Sequence, residues 1–430
     1  MFFDKSYDRT CRNNLRKLRN NAITVFCLVL FSLVEPACAE YQIVPRIDVS
    51  EEYNDNLFQT ETDRKTDYIS RIQPGIAFRY TAPLWDWDLS YGFDFRRYAK
   101  RLREDEETHN FTGTSTIRLI DNFMFIDLRD TYSRVSLDVT RTTTSDSLFV
   151  NQTDSNVFTA SPYFVLHPSA SVTVRTGYTY IDTWYKYTNA ESRKQHSGFI
   201  DASYEMTSKF FLNSSYRLDR ELANTFKFYR HEATIGTRYE YAERSFITAQ
   251  GGITSEEYDS VDTNAYTTSP YWNIGITHTF DTVTAALSSS VRYADDPLGG
   301  SLRENIYGFL TIQKSLKKGT ITVNSSYSEY FDGKTDVKTG ERLVAGMNGV
   351  YEIMEHLDCR LSFNFVNYRD LTLNGTTKRY YVDSGLRYSF GNNLSIGMSY
   401  GYANYESAQI TTDNMHGNRV ILDISKVFNQ

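Results

Sequence analysis

The sequence predicts an all-β fold, a single transmembrane antiparallel β-barrel of about 20 strands (18–20). Three observations predict it. From residue 40 onward, segments of some ten residues alternate apolar and polar side chains. The connections between them are alternately short and long. The chain holds 33 Tyr and 27 Phe but only 8 Pro, a composition suited to pleated strands, whose ladders Pro cannot join as a donor. The mean hydropathy of −0.48 fits this class, because a barrel alternates lipid-facing with water-facing residues. A helical membrane protein would need runs of about 20 apolar residues, and none follows the N-terminal segment.

Residues 1–39 have the form of a cleavable signal peptide. Arg12, Arg16, Lys17 and Arg19 make a positive n-region, Ala22 to Val34 a short apolar core, and Ala37-Cys38-Ala39 an A-x-A cleavage site. The mature chain is expected to begin at Glu40, so that residues 40–430 form the barrel. Glu35 and Pro36 stand where a lipoprotein signal needs small or apolar residues, which argues against lipidation of Cys38. Three of the four cysteines lie in the leader, and Cys359 alone can form no intrachain disulfide. The net charge is −7, more negative still once the basic leader is set aside, and gives no electrostatic footprint for nucleic acid.

The clearest strand is 85–96. Trp85, Trp87, Leu89, Tyr91, Phe93 and Phe95 fall on one face, and Asp86, Asp88, Ser90, Gly92, Asp94 and Arg96 on the other. Its length suits the roughly 9–11 residues a tilted strand needs to cross a bilayer. In 228–241 Tyr229, Ala233, Ile235, Tyr239 and Tyr241 oppose Arg230, Glu232, Thr234 and Arg238; in 283–293 Val283, Ala285, Leu287, Val291 and Tyr293 oppose Thr284, Ser288, Ser290 and Arg292. In 357–365 Leu357, Cys359, Leu361 and Phe363 oppose Asp358, Arg360 and Ser362, and 394–402 repeats the pattern.

Short turns recur about every 40 residues, among them Asp121-Asn122, Ala242-Glu243-Arg244, Glu355-His356 and Gly391-Asn392-Asn393. Longer polar stretches, such as 54–66, 99–108, 136–153, 187–194 and 295–301, lie between them. Short turns on the periplasmic side and long loops outside are the outer-membrane arrangement. Tyr80, Trp85, Trp87, Tyr241, Phe280 and Phe390 near the short turns, and Tyr98, Trp184, Tyr185, Tyr258, Tyr330 and Phe331 near the long loops, are expected to form two aromatic girdles. A β-sandwich would more often divide this many one-faced strands among domains.

The alternation assigns to the lumen Arg71, Arg79, Asp86, Asp88, Asp94, Arg96, Asp127, Arg129, Arg175, Asp201, Glu205, Arg217, Asp219, Arg230, Glu232, Arg238, Arg292, Arg360, Arg379, Asp383 and Arg387. Charges of both signs on so many strands belong in water or in ion-pair ladders, since they are costly against lipid. Barrels of this size leave an aqueous channel unless something plugs it. No segment is long enough for a separate plug domain; loop 136–153 is the best candidate for an inward-folded constriction, and the alternative for it is an exposed outer loop. The seven histidines show no metal-ligand spacing, Asp55, Asp63 and Asp67 lack the spacing of an EF-hand, and no motif points to catalysis. No cofactor or metal and no enzyme activity are therefore expected.

Val44-Pro45-Arg46-Ile47-Asp48-Val49-Ser50-Glu51-Glu52-Tyr53-Asn54-Asp55-Asn56-Leu57-Phe58, followed by Ile72-Gln73-Pro74-Gly75-Ile76, resembles the start of a family of outer-membrane β-barrel porins associated with exosortase (PEP-CTERM) and exopolysaccharide loci. The resemblance covers about the first two strands. It implies an outer-membrane barrel tied to exopolysaccharide export and supplies no catalytic residues. The expected function is a porin-like channel for small solutes or polysaccharide; the alternative is a closed structural or adhesive barrel working through its outer loops. The expected partners are outer-membrane lipid and the barrel-assembly machinery.

Overall fold

The computed structural model describes residues 39–137, 152–259, 265–295, 297, 301–407 and 414–428. Twenty strands follow in chain order: β1 (Glu40–Asn54), β2 (Asp67–Thr81), β3 (Trp85–Tyr98), β4 (Glu106–Ile120), β5 (Met124–Ser136), β6 (Gln152–Ser169), β7 (Val172–Tyr185), β8 (Arg193–Thr207), β9 (Phe210–Ala223) and β10 (Lys227–Ala242). They continue with β11 (Ser245–Tyr258), β12 (Ala265–Thr279), β13 (Val283–Asp295), β14 (Ser301–Leu316), β15 (Gly319–Asp332), β16 (Lys338–Met354), β17 (Leu357–Asp370), β18 (Gly375–Ser389), β19 (Leu394–Ser407) and β20 (Met415–Val427).

Each strand pairs antiparallel with the next, and β1 pairs with β20, from Arg46↔Val427 to Asn54↔Arg419. Closure pairs every strand on both sides over at least part of its length, which is what a sheet needs where lipid cannot hydrogen-bond its backbone. The strands run from 13 to 18 residues, longer than a crossing requires, so their ends stand clear of the apolar band. At the short turns Asn122, Arg244, His356 and Asn393 adopt positive φ, between 54° and 69°. Asn takes that region at little cost, and Arg and His there are held by the hairpin geometry.

Along the outward face lie exposed large apolar side chains, including Ile72, Ile76, Ile235, Ile253, Leu287, Ile396 and Leu422. Cys359 shares their phase: it pairs with Tyr351 on β16 and Leu386 on β18, both exposed, two residues from the start of its strand. Cys359 in folded, membrane-embedded protein is expected to resist a water-soluble maleimide and to react within minutes after unfolding. Rapid labelling of the folded form would mean a one-residue error of phase, which would exchange the two faces.

Four residues assigned to the outer girdle have the inner-face phase instead, Tyr98, Tyr185, Tyr258 and Tyr330, with Tyr185 on the same side of β7 as Arg175. Tyr98, Tyr258 and Tyr330 are 1–3% exposed and share the phase of inner-face charges. Tyr98 Oη donates to Glu106, Tyr258 Oη to Glu256 and Tyr330 Oη to Glu304. A buried phenol needs such a partner, and the inner face supplies one while lipid does not. Tyr98 also packs with Ile69 and with Leu57 from the β1–β2 loop, a small apolar cluster on the inner wall.

Candidate functional site: the lumen and an infolded hairpin

Contacts between strands that are not sheet neighbours identify the interior. Arg230 of β10 donates from Nη2 to Ser301 Oγ at the start of β14, 2.7 Å away, so the face carrying Arg230 is the inner one. The registers carry that assignment round the barrel. Arg230 lies opposite Asp219, Glu232 opposite Arg217, and Arg238 opposite Thr248. Arg175 lies opposite Asp201, Arg71 opposite Arg96, Arg79 opposite Asp88, and Arg360 opposite Gly385. Asp86, Asp94, Asp127, Arg129, Glu205, Arg379, Asp383 and Arg387 have the same phase on their strands. Arg292 does too, along β13.

These residues do not share one environment. Toward the long-loop end they are packed. Asp94 accepts from Arg71 at 2.7 Å and from Arg96 at 2.6 Å, and the Asp94 and Arg96 side chains are each 5% exposed. Arg193 and Glu221, 3.0 Å apart, are each 2% exposed. Glu256 accepts from Arg230 at 2.6 Å. Toward the short turns the pairs are open to water: Arg79–Asp88 at 2.9 Å has side chains 65% and 53% exposed, and Arg175–Asp127 is also half-exposed. Pairs of the open kind contribute about 0–1 kcal/mol each. The buried kind specify geometry, and removing one partner strands a charge.

Among the described residues, the outer end of the β13–β14 hairpin folds inward, which the alternation of 283–293 does not show. The β12–β13 ladder runs from Thr279↔Thr284 only as far as Asn273↔Ser290. Beyond that point β12 continues to Ala265 on β11 alone, and β13 continues to Asp295 on β14 alone. A bulge between Ile306 and Gly308 on β14 marks the same level. The two outer halves have parted. Tyr293 Oη lies 2.8 Å from Ser269 Oγ on the inner face of β12, and the Tyr293 ring lies 4.2 Å from the Arg230 guanidinium.

Strand alternation puts Val291 and Tyr293 on the face opposite Arg292, the outward face, as the sequence predicts. Yet Val291 is 3% exposed, and Tyr293 and Ser301 touch the inner side of β10–β12. Both hold only if the outer end of the β13–β14 hairpin lies inside the wall made by β10–β12. The lipid-facing assignment of Val291 and Tyr293 is thereby corrected.

The tip of this hairpin reaches across the mouth. Pro297 O accepts from Glu191 N at 2.7 Å, in the loop between β7 and β8, and Glu191 Oε2 accepts from Asn224 N in the loop between β9 and β10. The seam left outside is closed by side chains. Trp272 Nε1 donates to Ser289 Oγ at 2.9 Å, and the Trp272, Tyr307 and Tyr327 rings succeed one another at 6.1 and 6.2 Å. Above them Gly333 O accepts from Thr267 Oγ1. A Cβ at Gly333 would stand 2.7 Å from Ser301 O and 2.8 Å from Tyr258 Oη, so the close approach needs glycine. The run Ser288-Ser289-Ser290 sits where the strands part; the alternation had placed Ser288 and Ser290 simply on the polar face of 283–293. Residues 138–151 of loop 136–153 lie outside the described residues. Among the described residues no cluster of three or more His, Cys, Asp or Glu side chains is placed to hold a metal ion.

Solved structures share this architecture. The FrpB iron transporter from Neisseria meningitidis superposes with a TM-score of 0.55 at 9% identity, covering 90% of this chain and 81% of its own. A ferric enterobactin receptor (PfeA) mutant from Pseudomonas aeruginosa gives 0.50 at 9% identity, covering 90% and 80%. No protein-family model matches the sequence, and no curated protein is significantly similar to it. At these identities the likeness shows the fold, which is that of an outer-membrane β-barrel.

Proposed function

We propose that the chain, exported by its leader and starting at Glu40, is an outer-membrane porin-like channel with a wide periplasmic vestibule and a narrowed outer mouth. The observation that carries this reading is the water-exposed ion pairing of Arg79–Asp88 and Arg175–Asp127 on the inner wall, below a zone of buried pairs. Charges of both signs lining a wet path suit small polar solutes, because low-dielectric walls focus the potential of such groups on a passing ion. Export of exopolysaccharide rests on the resemblance at residues 44–58 and 72–76; an extended sugar chain would have to pass the infolded hairpin. A closed structural or adhesive barrel is the second reading, favoured by the Glu191–Pro297 contact that bridges the mouth.

Residues 40–430, refolded and inserted in a planar bilayer, are expected to conduct in small steps. Asp88→Asn is expected to move the reversal potential across a potassium chloride gradient toward anion preference. Insertion without any conductance would leave the closed barrel as the function.

A further inference from the structure

Near the long-loop end the apolar outward face gives way to tyrosine–histidine pairs built alike. Tyr91 Oη lies 2.8 Å from His109 Nδ1, Tyr178 Oη 2.5 Å from His196 Nδ1, and Tyr216 Oη 2.9 Å from His231 Nδ1. Each histidine stands three or four residues in from the outer end of its strand. The pairs therefore mark one level. Rings with an apolar body and a polar tip settle where hydrocarbon meets headgroups.

On β8–β10 that level also carries fixed positive charge. Arg220 is exposed and lies in register with His196 on one side and Tyr229 on the other, its guanidinium 5.3 Å from the Tyr229 ring centroid. Lys194 is exposed two residues beyond His196 on the same face, and His231 is exposed on β10. The outward carboxylates of this level sit at its flanks, Asp182 opposite Lys194 and Glu257 opposite Tyr229. Asp219 and Glu221 on β9 point inward and are buried. Arg220 thus meets a histidine and an aromatic ring in register, and among the described residues no carboxylate is its register partner.

We propose that Arg220, with Lys194, His196 and His231, holds the phosphate of an outer-leaflet lipid headgroup against the wall. A guanidinium is the side chain best suited to grip a phosphate by two parallel hydrogen bonds, and the phenol of a neighbouring tyrosine holds each imidazole in place. The level argues for a lipid: the apolar residues just below, Ile200 and Leu218, would seat its acyl chains while the cations meet its phosphate. The inference rests on the outer-membrane reading above.

Native mass spectrometry of residues 40–430 in detergent, with bisphosphorylated lipid A or the same lipid stripped of phosphate as probe, tests it. Wild type is expected to retain the phosphorylated form about tenfold better, the difference one charge-assisted bond carries. Arg220→Gln with Lys194→Gln should abolish the preference, whereas Arg97→Gln, at the outer end of β3, should keep it. Heat-modifiable gel mobility confirms that each variant is folded, and Arg220→Gln alone serves if the double variant is not. Equal retention of the two lipids by wild type, or an undiminished preference in the folded variants, overturns the proposal. So does displacement of the lipid by millimolar inorganic phosphate, which would make it a free-anion site. A chain that conducts but shows no lipid preference loses only this inference; one that inserts into no bilayer loses the channel as well.

Discussion

Excising residues 291–305 and joining Ser290 to Ile306 through Asn-Gly should raise single-channel conductance roughly threefold or more, because a barrel of this strand number is wide wherever nothing fills it. The join is geometrically ready. Ser290 and Ile306 already face each other in the β13–β14 ladder, and a two-residue turn closes such a pair. On the β12 side the excised part pairs with no strand, since that ladder ends at Ser290; on the other side the excision removes only the outer end of the β14–β15 ladder, Leu302↔Asp332 to Asn305↔Glu329. Arg230 and Glu256 keep each other after the excision, so no charge is stranded on the wall. The excised barrel should fold and show the same heat-modifiable mobility. Unchanged conductance in a folded variant would mean that the permeation path does not run past the hairpin.

Asp94→Asn is expected to destabilise the barrel by about 3–5 kcal/mol, the cost of breaking a buried pair from one side. Asp94 sits between two guanidiniums, and Asn would leave Arg71 and Arg96 facing each other with their shared counter-charge gone. Asp88→Asn, six residues along the same face, should cost no more than about 1 kcal/mol, since its pair is exposed. Urea unfolding of the two variants in detergent or lipid, followed by tryptophan fluorescence, measures the difference. Equal midpoints would mean that the outer lumen is hydrated as well as the inner. The sequence treats Asp86, Asp88 and Asp94 as equals because alternation reports only which face a residue is on.

The limits of that pattern explain what was legible. Period-two alternation, turn chemistry and loop length are local properties, and they give the all-β barrel class, a strand number of 18–20 and the inner-face phase of the charged side chains from Arg71 to Arg387. The phase of 85–96 and of 357–365 needed nothing else, because a residue's face follows from its neighbours along the strand. Depth is different. Whether an inner charge stands in an open vestibule, as Asp88 does, or in a packed network, as Asp94 does, depends on side chains from strands far away in the sequence.

The girdle assignment failed for Tyr98, Tyr258 and Tyr330 for a related reason. Nearness to a loop fixes height along the barrel but not face, and their carboxylate partners, Glu106, Glu256 and Glu304, drew them inward. The hairpin shows the largest gap. Residues 283–293 alternate except at Ala286 and Ser289, yet the pairing between β12 and β13 ends midway. A strand's own pattern says which of its faces is apolar and not what that face will meet. Val291 and Tyr293 met Arg230, Ser269 and the inner wall instead of lipid, and only the closed tertiary structure, which sets β10 beside β14 across the lumen, could decide that.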